Sequence, residues 1–403
     1  MATSHVKRAF KYRFYPTDAQ AAELSRTFGC VRKVYNLALA ARTEAWAIRQ
    51  ERVNYNATSA MLTAWKKTGE LAFLNEVSSV PLQQCLRHLQ TAFTNFFAKR
   101  AKYPRFKSKR KSRASAEYTS SAFRFCDGKL TLAKMTEPLA VVWHRPLPEG
   151  AKPSTVTVSR DSAGRWYVSV LCEDPSVKPL PVNGPVVGVD AGLDHLLTLS
   201  TGEKIANPGH ERKDRKRLAK AQRELSCKAK GSNNRAKARL RVAKVHARIA
   251  DRRRDHLHQV TTRLVRENQT VVIEDLTVRN MLKNRSLSRA ISDAAWSEFR
   301  SMLEYKAAWY GREVIAVDRF FPSSKLCSTC GMLQEKMPLN VRTWQCDCGT
   351  THDRDANAAK NIKAAGLAVS ACGAGVRPQR RTSGGQSATK QEASRREPRS
   401  PRL

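Results

Sequence analysis

The stretch VVGVDAGLDHLLTLS, residues 186–200, decides the fold class of this 403-residue chain. An apolar run ends on Asp190, a turn containing Gly192 follows, and a second apolar run comes after the turn. Because nearly every position in both runs is apolar, the pattern indicates two buried strands joined as a hairpin. TVVIEDL at 270–276 and REVIAVD at 312–318 have the same buried-strand pattern, and an amphipathic helix is predicted between them. Together these elements predict an α/β domain.

The rest of the chain has other patterns. Residues 7–15 alternate basic and aromatic side chains as a strand does, and residues 17–98 carry apolar side chains at helical spacing. Short β-rich pieces over 114–182 predict a small antiparallel barrel or sheet, to which the strand at 7–15 can belong. A Pro-rich linker at 175–185 leads into the α/β domain. The basic, polar tail at 373–403 is expected to be disordered.

The net charge indicates a polyanionic partner. Lys plus Arg total 73 against 35 Asp plus Glu, which gives a formal charge of +38. Nucleic acid is the partner that such an excess favours. The sequence has no apolar run of about 18 residues, so no membrane-spanning helix is predicted. No apolar signal segment follows the first basic residues, so we expect a cytoplasmic protein.

The positive charge is concentrated in two segments. Residues 211–254 contain 18 Lys or Arg against four acids, and they predict two long basic helices joined near Gly231. Residues 99–113 contain nine Lys or Arg and no acid, with Tyr103 and Phe106 among them. Since cations pair with phosphates and rings stack on bases, this segment is a predicted nucleic-acid contact, although a solvated charge run is the alternative. Its candidate contacts are Lys99, Arg100, Arg105, Lys107, Lys109 and Arg110.

Three acids occupy positions that burial alone does not explain. Asp190 and Glu274 end apolar strands, and Asp355 begins a helical segment within THDRDANAAKNI. An uncompensated carboxylate at the end of a buried strand is unfavourable, and a divalent metal ion is one solution. Three converging carboxylates can hold two Mg²⁺ ions about 4 Å apart for phosphoryl transfer. The competing acids at these places are Asp194, Asp275 and Asp353, of which Asp353 also suits a helix N-cap.

The cysteines predict a second metal site. Four of the ten cysteines fall within 22 positions, as two close pairs typical of a zinc ribbon: Cys327, Cys330, Cys346 and Cys348. The second pair has one intervening residue where a ribbon usually has two, and His352 is an alternative ligand. A site closed by four thiolates holds structural Zn²⁺ and leaves no position open for hydrolysis.

Seven motifs in order resemble one protein family: YRFYPTDAQ, RKVYNLAL, YPRFK, GVDAGL, VVIEDL, FPSSKLCSTCG and HDRDANAAKNI. Their combination resembles the TnpB family, transposon-encoded relatives of type V CRISPR effectors, up to about residue 366. The resemblance implies a RuvC-like nuclease domain of the ribonuclease-H type, split by insertions. Its active site would use Asp190, Glu274 and Asp355 with Mg²⁺.

The resemblance also implies a domain organisation that combines α/β, β and α parts. The predicted domains are a β-barrel wedge domain (1–16 and 114–182), a helical recognition lobe (17–113), a RuvC-like nuclease domain (183–325 and 350–372) and a zinc ribbon (326–349). Within the recognition lobe, Tyr55, Ser79 and Gln83 fall at positions matching residues that read the target-adjacent motif. An ordinary polar surface is the alternative for these three.

The implied activity is RNA-guided endonucleolytic cleavage of double-stranded DNA beside a short target-adjacent motif. The guide RNA would come from the transposon's right end, and the protein would act as a monomer in the ribonucleoprotein. Two other functions are compatible with the sequence. One is a catalytically silent RNA-guided DNA-binding protein, against which the three intact acids argue. The other is an unguided transposase, because fold and carboxylates alone do not separate strand joining from guided cleavage.

Overall fold

A computed structural model of the chain describes residues 6–371, except Asn183 and Leu339. The predicted tail at 373–403 lies outside the described residues. The helices are α1 (Asp18–Arg49), α2 (Tyr55–Trp65), α3 (Ser79–Phe97), α4 (His210–Ser226), α5 (Asn233–Glu267), α6 (Val278–Met281), α7 (Ser288–Ala294), α8 (Trp296–Tyr310) and α9 (Arg354–Ala371). The strands are β1 (Val6–Phe14), β2 (Ala114–Thr119), β3 (Phe123–Cys126), β4 (Lys129–Leu132), β5 (Val141–Val142), β6 (Pro153–Arg160), β7 (Trp166–Asp174), β8 (Val186–Asp190), β9 (His195–Leu199), β10 (Lys204–Ala206), β11 (Thr270–Glu274), β12 (Glu313–Val317), β13 (Thr343–Gln345) and β14 (Thr351–Asp353).

The first compact unit comprises the residues up to Lys178 together with Asp214–Ala250. Its main sheet has the order β2-β6-β7-β1-β5, with every neighbouring pair antiparallel. The predicted strand at 7–15 is therefore confirmed as a member of this sheet. The hydrogen-bonded pairs in the described residues form an open ladder from β2 to β5, so closure into a barrel stays a prediction.

Helices α1 to α3 share one hydrophobic core with this sheet. Helix α1 begins at a capping box, in which Gln20 N donates to Thr17 Oγ1 (3.3 Å) and Thr17 N donates to Gln20 Oε1 (3.2 Å). The apolar positions spaced three or four apart, from Leu24 to Ala38, are buried as helical periodicity predicts.

The two predicted basic helices are confirmed as α4 and α5. They are held together by a small cluster of Leu218, Val245 and Ile249, and most of their remaining side chains are basic or polar. None of the helices in the described part of the chain combines the length and apolar content needed to span a bilayer.

The second compact unit comprises Pro179–Lys213 and the residues from Asp251 onward. Its sheet has the order β10-β9-β8-β11-β12. Strands β10, β9 and β8 are antiparallel neighbours, whereas β8, β11 and β12 run parallel. The predicted buried hairpin is thus β8 and β9. Since β8 and β11 are parallel, their C-terminal ends, at Asp190 and Glu274, lie at the same edge of the sheet.

Helices cover the two faces of this sheet. Phe299 and Leu303 of α8 lie in one core with Val189 and Ile273, while Ile362 of α9 lies in another with Val272. Adjacent strand residues point to opposite faces, which explains why Val272 and Ile273 belong to different cores. The helix predicted over 292–311 is interrupted at Ala295, whose left-handed φ of 52° separates α7 from α8.

Helix α9 lies against β8 and β11 at two glycines. A Cβ atom at Gly188 would stand 2.1 Å from the Ala359 carbonyl oxygen and 2.6 Å from Lys363 N. A Cβ atom at Gly366 would stand 2.4 Å from a methyl group of Val272. Only hydrogen fits at these points, so the two glycines set how closely the helix approaches the sheet.

We expect Gly188→Ala to destabilise the second unit, because the new methyl group meets backbone atoms that cannot rotate away. Overpacking of this kind costs about 1–3 kcal/mol, which corresponds to a Tm decrease of several degrees by calorimetry. Gly29→Ala in α1 is the control. A Cβ atom at Gly29 would have no atom within 4 Å apart from its own helix backbone and chain neighbours, and alanine stabilises a helix by about 1 kcal/mol relative to glycine. Equal melting of parent and Gly188→Ala would contradict the close approach.

Candidate functional site

The three predicted carboxylates share one face and one edge of the second sheet. In the parallel ladder Ile273 pairs with Val189, so Glu274 follows beside Asp190. Each lies two positions after a residue that contacts α9, Gly188 in one strand and Val272 in the other, and therefore points to the α9 face. Asp355 lies in the first turn of α9 itself. Strand register thus brings Glu274 beside Asp190, 84 positions earlier, and helix docking brings in Asp355, 81 positions later.

The electrostatics of the three acids are coupled. Burial and the charges of Glu274 and Asp355 raise the pKa of Asp190 to about 8, against an opposing effect of Arg354. Burial also raises the pKa of Glu274, while a hydrogen bond from Ser323 lowers it. No ion pair within the described residues includes Asp190 or Glu274, so a negative charge on either carboxylate has no direct cation partner there.

The competing acids are each paired with a cation. Asp275 points away from the α9 face and accepts hydrogen bonds from Arg300 and Arg319, both 2.6 Å. Burial raises the pKa of Asp275, but the two guanidinium groups outweigh it and hold that pKa below its ordinary value. The carboxylate is therefore already neutralised by the protein.

Asp353 and Asp194 are occupied in other ways. Asp353 caps α9 by accepting a hydrogen bond from Ala356 N (2.9 Å), and it pairs with Lys204 (2.7 Å). The N-cap interpretation of Asp353 is confirmed by this geometry. Asp194 is exposed and pairs with Arg342.

Two residues at this site carry contacts that sequence reasoning missed. Ser323 Oγ donates to Glu274 Oε1 at 2.7 Å. Arg342 Nη1 lies 3.5 Å from Asp355 Oδ1. Ser323 lies within the FPSSKLC motif, which was a signal of its importance, whereas Arg342 stands in no motif.

The four predicted cysteines form one compact set. Their sulfur atoms all lie within 4.8 Å of one another, with 3.8 Å between Cys327 and Cys348 and 3.6 Å between Cys330 and Cys346. Four sulfurs bound to one zinc ion at about 2.3 Å stand about 3.8 Å apart in a tetrahedron. The set therefore fits structural zinc. Among the described residues it is the one group of three or more such side chains found close enough to hold a metal ion.

The shortened second pair keeps both thiols at the site through a tight turn. Gly349 N donates to Cys346 O (2.8 Å), and Cys346 N donates to Thr350 O (2.9 Å). Contacts with the Thr350 hydroxyl and backbone lower the pKa of Cys348 to about 6, which favours the thiolate that zinc binds. His352 Nε2 lies 3.0 Å from Cys327 Sγ, beside the four-cysteine set.

The candidate nucleic-acid contacts lie in the first unit. Lys99, Arg100, Arg105, Lys109 and Arg110 are exposed, and Phe106 is 62% exposed. Lys107 differs, because its ammonium group lies 3.9 Å from the Tyr35 ring centre and its backbone bonds Asn36. Tyr103 differs as well, because its ring packs edge-on against Phe93 and Phe96. Phe106 is therefore better placed than Tyr103 to stack on a base.

The three positions suggested for motif reading lie on α2 and α3. Tyr55 is the first residue of α2, and its hydroxyl accepts a hydrogen bond from Arg87 (3.4 Å). Ser79 is the first residue of α3 and accepts a hydrogen bond from Lys66 (2.7 Å). Gln83, one turn further along α3, is exposed. Their role in binding stays a prediction.

Three family models match the sequence. A model described as "Probable transposase" (OrfB of IS605) matches residues 167–285, and a Cas12f1-like TNB domain matches residues 296–362. A helix-turn-helix domain matches residues 1–51, where the described residues form β1 and the single helix α1.

Relatives and a solved structure extend the likeness to most of the chain. A Streptomyces pristinaespiralis protein named "Putative RNA-guided DNA endonuclease" is 71% identical over 99% of this chain and 99% of its own length. InsQ of Escherichia coli (strain K12), of the same descriptive name, is 35% identical over 91% of this chain and 94% of its own length. The protein in a cryo-EM structure of a Cas12f1–sgRNA–target DNA complex has a similar fold (TM-score 0.56, 13% identity), covering 89% of this chain and 99% of that chain. With full-length relatives at this identity and an IS605 match that spans β8 to β11, the chain belongs to the TnpB family.

Proposed function

We propose that this protein is an RNA-guided DNA endonuclease that hydrolyses phosphodiesters with Asp190, Glu274 and Asp355. The observation that carries the proposal is the charge pattern at the edge of the second sheet. Among the described residues no ion pair includes Asp190 or Glu274, and Asp355 lies 3.5 Å from Arg342, whereas Asp275, Asp353 and Asp194 form closer pairs with Lys or Arg. The names of the two relatives support DNA as substrate and RNA as guide.

The carboxylates fit divalent metal. Asp190 is crowded by two like charges, and a cation at this point would relieve their repulsion. When bound, two Mg²⁺ ions activate the attacking water and stabilise the leaving 3′-oxygen. Asp190, Glu274 and Asp355 would hold these ions. The cysteines would hold Zn²⁺ in a structural role.

The basic surfaces would bind the nucleic acids. Helices α4 and α5 present Lys and Arg along most of their length, and the exposed cations of residues 99–113 add a second phosphate-binding segment. Because Watson–Crick pairing with the guide reads the target, these contacts need only recognise backbone shape. Tyr55, Ser79 and Gln83 would contact a target-adjacent motif. The guide would derive from the transposon's right end, and one protein chain would serve each ribonucleoprotein.

The central prediction concerns guide-dependent cleavage. The protein is co-expressed with the DNA flanking the 3′ end of its gene, purified, and tested with Mg²⁺ on a plasmid library matching the bound RNA. We expect one discrete RNA and cleavage of matching plasmids. Asp190→Asn and Glu274→Gln should lower the cleavage rate by more than about a hundredfold, because each removes a metal-binding charge.

Asp194→Asn is the matched control, since it removes an acid near the same strand end that already pairs with Arg342. It should keep most of the activity. Loss of cleavage in Asp194→Asn but not in Asp190→Asn would show that the acids are wrongly assigned. Bound RNA without cleavage in the parent would favour a silent guided binder, and cleavage without any specific RNA would favour an unguided transposase.

The raised pKa of Asp190 predicts a pH-dependent stability. Its pKa of about 8 lies above the ordinary value of 3.8, so the folded protein holds a proton that the unfolded chain releases. Without metal, the contribution of Asp190 to stability is therefore present at low pH and is lost as the pH rises toward 8. Mg²⁺ replaces the proton and should raise Tm more at pH 8 than at pH 5.

Asp190→Asn isolates this effect, because it cannot lose a proton. The difference in Tm between variant and parent, measured without metal, should grow in favour of the variant from pH 5 to pH 8. The response to Mg²⁺ should shrink in the same variant. A constant difference across this range would contradict the coupling of the three carboxylates.

Zinc content tests the ribbon. The purified protein should contain about one zinc ion per chain by mass spectrometry. Cys327→Ser and Cys348→Ser should lose that zinc and lower Tm, because each removes one of four ligands. Cys126→Ser, at an exposed cysteine outside the set, is the control and should keep it. Zinc-free parent protein that melts normally would contradict the prediction.

A further inference from the structure

We propose that Ser323, Asn357 and Asn361 are positioning residues that orient the Glu274 carboxylate from the first zinc knuckle. The inference rests on the proposed nuclease function, and it adds three residues that act through Glu274 and not on the substrate. It is carried by a chain of buried and partly buried hydrogen bonds that connects α9, the segment Ser323–Ser328 and the end of β11.

The chain begins at the carboxylate. Glu274 has a long side chain at the end of a strand, and a free carboxylate of this kind can rotate about its terminal bonds. Ser323 Oγ donates to Glu274 Oε1 at 2.7 Å, and Ser323 is only 6% exposed. One oxygen is thereby fixed, which leaves Oε2 in a defined direction for a metal ion. An ion-binding carboxylate held in this way needs no rearrangement when the ion arrives.

Ser323 is itself held by α9. Asn361 Nδ2 donates both to Ser323 O (2.8 Å) and to Leu326 O (2.6 Å). Asn357, one turn earlier on the same face of the helix, donates to Leu326 O (2.7 Å) and accepts from Ser328 N (2.9 Å). The segment between Ser323 and Ser328 is thus fixed at its start, its middle and its end.

Asparagine is suited to these two positions because its amide both donates and accepts hydrogen bonds. Asn357 and Asn361 are 1% and 3% exposed, so a substitution that removes the amide leaves buried carbonyl groups without a donor. Asparagine is a weak helix former, so Asn357 and Asn361 do not stabilise the helix itself. Their shared function is to hold the segment.

The held segment contains Cys327, the first cysteine of the zinc set. The same helix carries Asp355 in its first turn. Helix α9 therefore places one predicted metal-binding carboxylate directly and a second through Ser323, and a displacement of the knuckle at Cys327 is transmitted to Glu274. This explains why a structural metal site stands between the second and third acids in the sequence.

The test compares Ser323→Ala, Ser323→Thr and Asn361→Ala with the parent in the purified complex with guide RNA. Ser323→Ala should lower kcat by about ten- to hundredfold, as the loss of a residue that hydrogen-bonds a metal ligand does, with an unchanged KM for target DNA. The Mg²⁺ concentration at half-maximal rate should rise. Ser323→Thr keeps the hydroxyl and should recover most of the loss. Asn361→Ala should likewise lower kcat with an unchanged KM, while it retains zinc and guide RNA.

The control is Asn268→Ala, another buried asparagine of the second unit, whose Nδ2 donates to Leu264 O (2.9 Å) outside this network. It should match Asn361→Ala in lost thermal stability but keep the parent's kcat and Mg²⁺ requirement. Equal loss of activity in Asn268→Ala and Asn361→Ala, in proportion to Tm, would overturn the proposal and leave the network a merely structural one.

A second readout does not depend on cleavage. Mn²⁺ binding, followed by electron paramagnetic resonance, should weaken by about tenfold in Ser323→Ala and recover in Ser323→Thr. If the parent binds Mn²⁺ without cutting DNA, the proposed function fails while this comparison still decides the positioning role. Identical Mn²⁺ affinity in parent, Ser323→Ala and Asn361→Ala would overturn it.

Discussion

The contact between α9 and β8 at Gly188 is the constraint on which the second unit depends. A helix can approach a sheet this closely only where the strand has no side chain, and the carbonyl of Ala359 occupies that space. The close approach determines where the first turn of α9 lies, and therefore where Asp355 stands relative to Asp190. A wider separation would leave Asp190 beside Glu274 alone. The position of the Asp355 carboxylate therefore depends on the absence of a side chain at Gly188.

Close pairing with Lys or Arg distinguishes the carboxylates with a structural role from those that are available to a ligand. Glu274 and Asp275 are adjacent in sequence, yet strand alternation sends one toward α9 and the other toward two arginines. Asp353 caps α9 and pairs with Lys204 at 2.7 Å, whereas the nearest cation to Asp355 among the ion pairs of the described residues is Arg342 at 3.5 Å. Fixed cations hold three acids in structural roles. The remaining negative charge is concentrated at one sheet edge, where a divalent ion is the natural counter-charge.

The ribbon and the carboxylate site are neighbours in structure as well as in sequence. Two buried asparagines of α9 bond the segment that leads into Cys327, and the same segment donates to Glu274. Because satisfied polar networks are rigid, the four-cysteine segment is connected through these hydrogen bonds to the sheet edge that carries Glu274. The ribbon's structural role and the proposed chemistry are therefore not independent.

Local hydrophobic periodicity and residue spacing were sufficient to predict several strands and the cysteine set. The apolar runs predicted β8, β9, β11 and β12, and the cysteine spacing predicted the sulfur set, all of which the structure has. Spacing left Asp194, Asp275 and Asp353 as competitors, and the family resemblance selected Asp190, Glu274 and Asp355. Tertiary structure distinguished them, because the partners of Asp353 and Asp275 are 149 and 25 positions away and depend on sheet order and helix docking. Packing also set Lys107 against the Tyr35 ring, set Tyr103 edge-on against Phe93, and brought Ser323 to Glu274. Local hydrophobic periodicity predicts whether a segment is a helix or a strand. Whether a carboxylate is paired with a cation depends on which distant residue the fold places beside it.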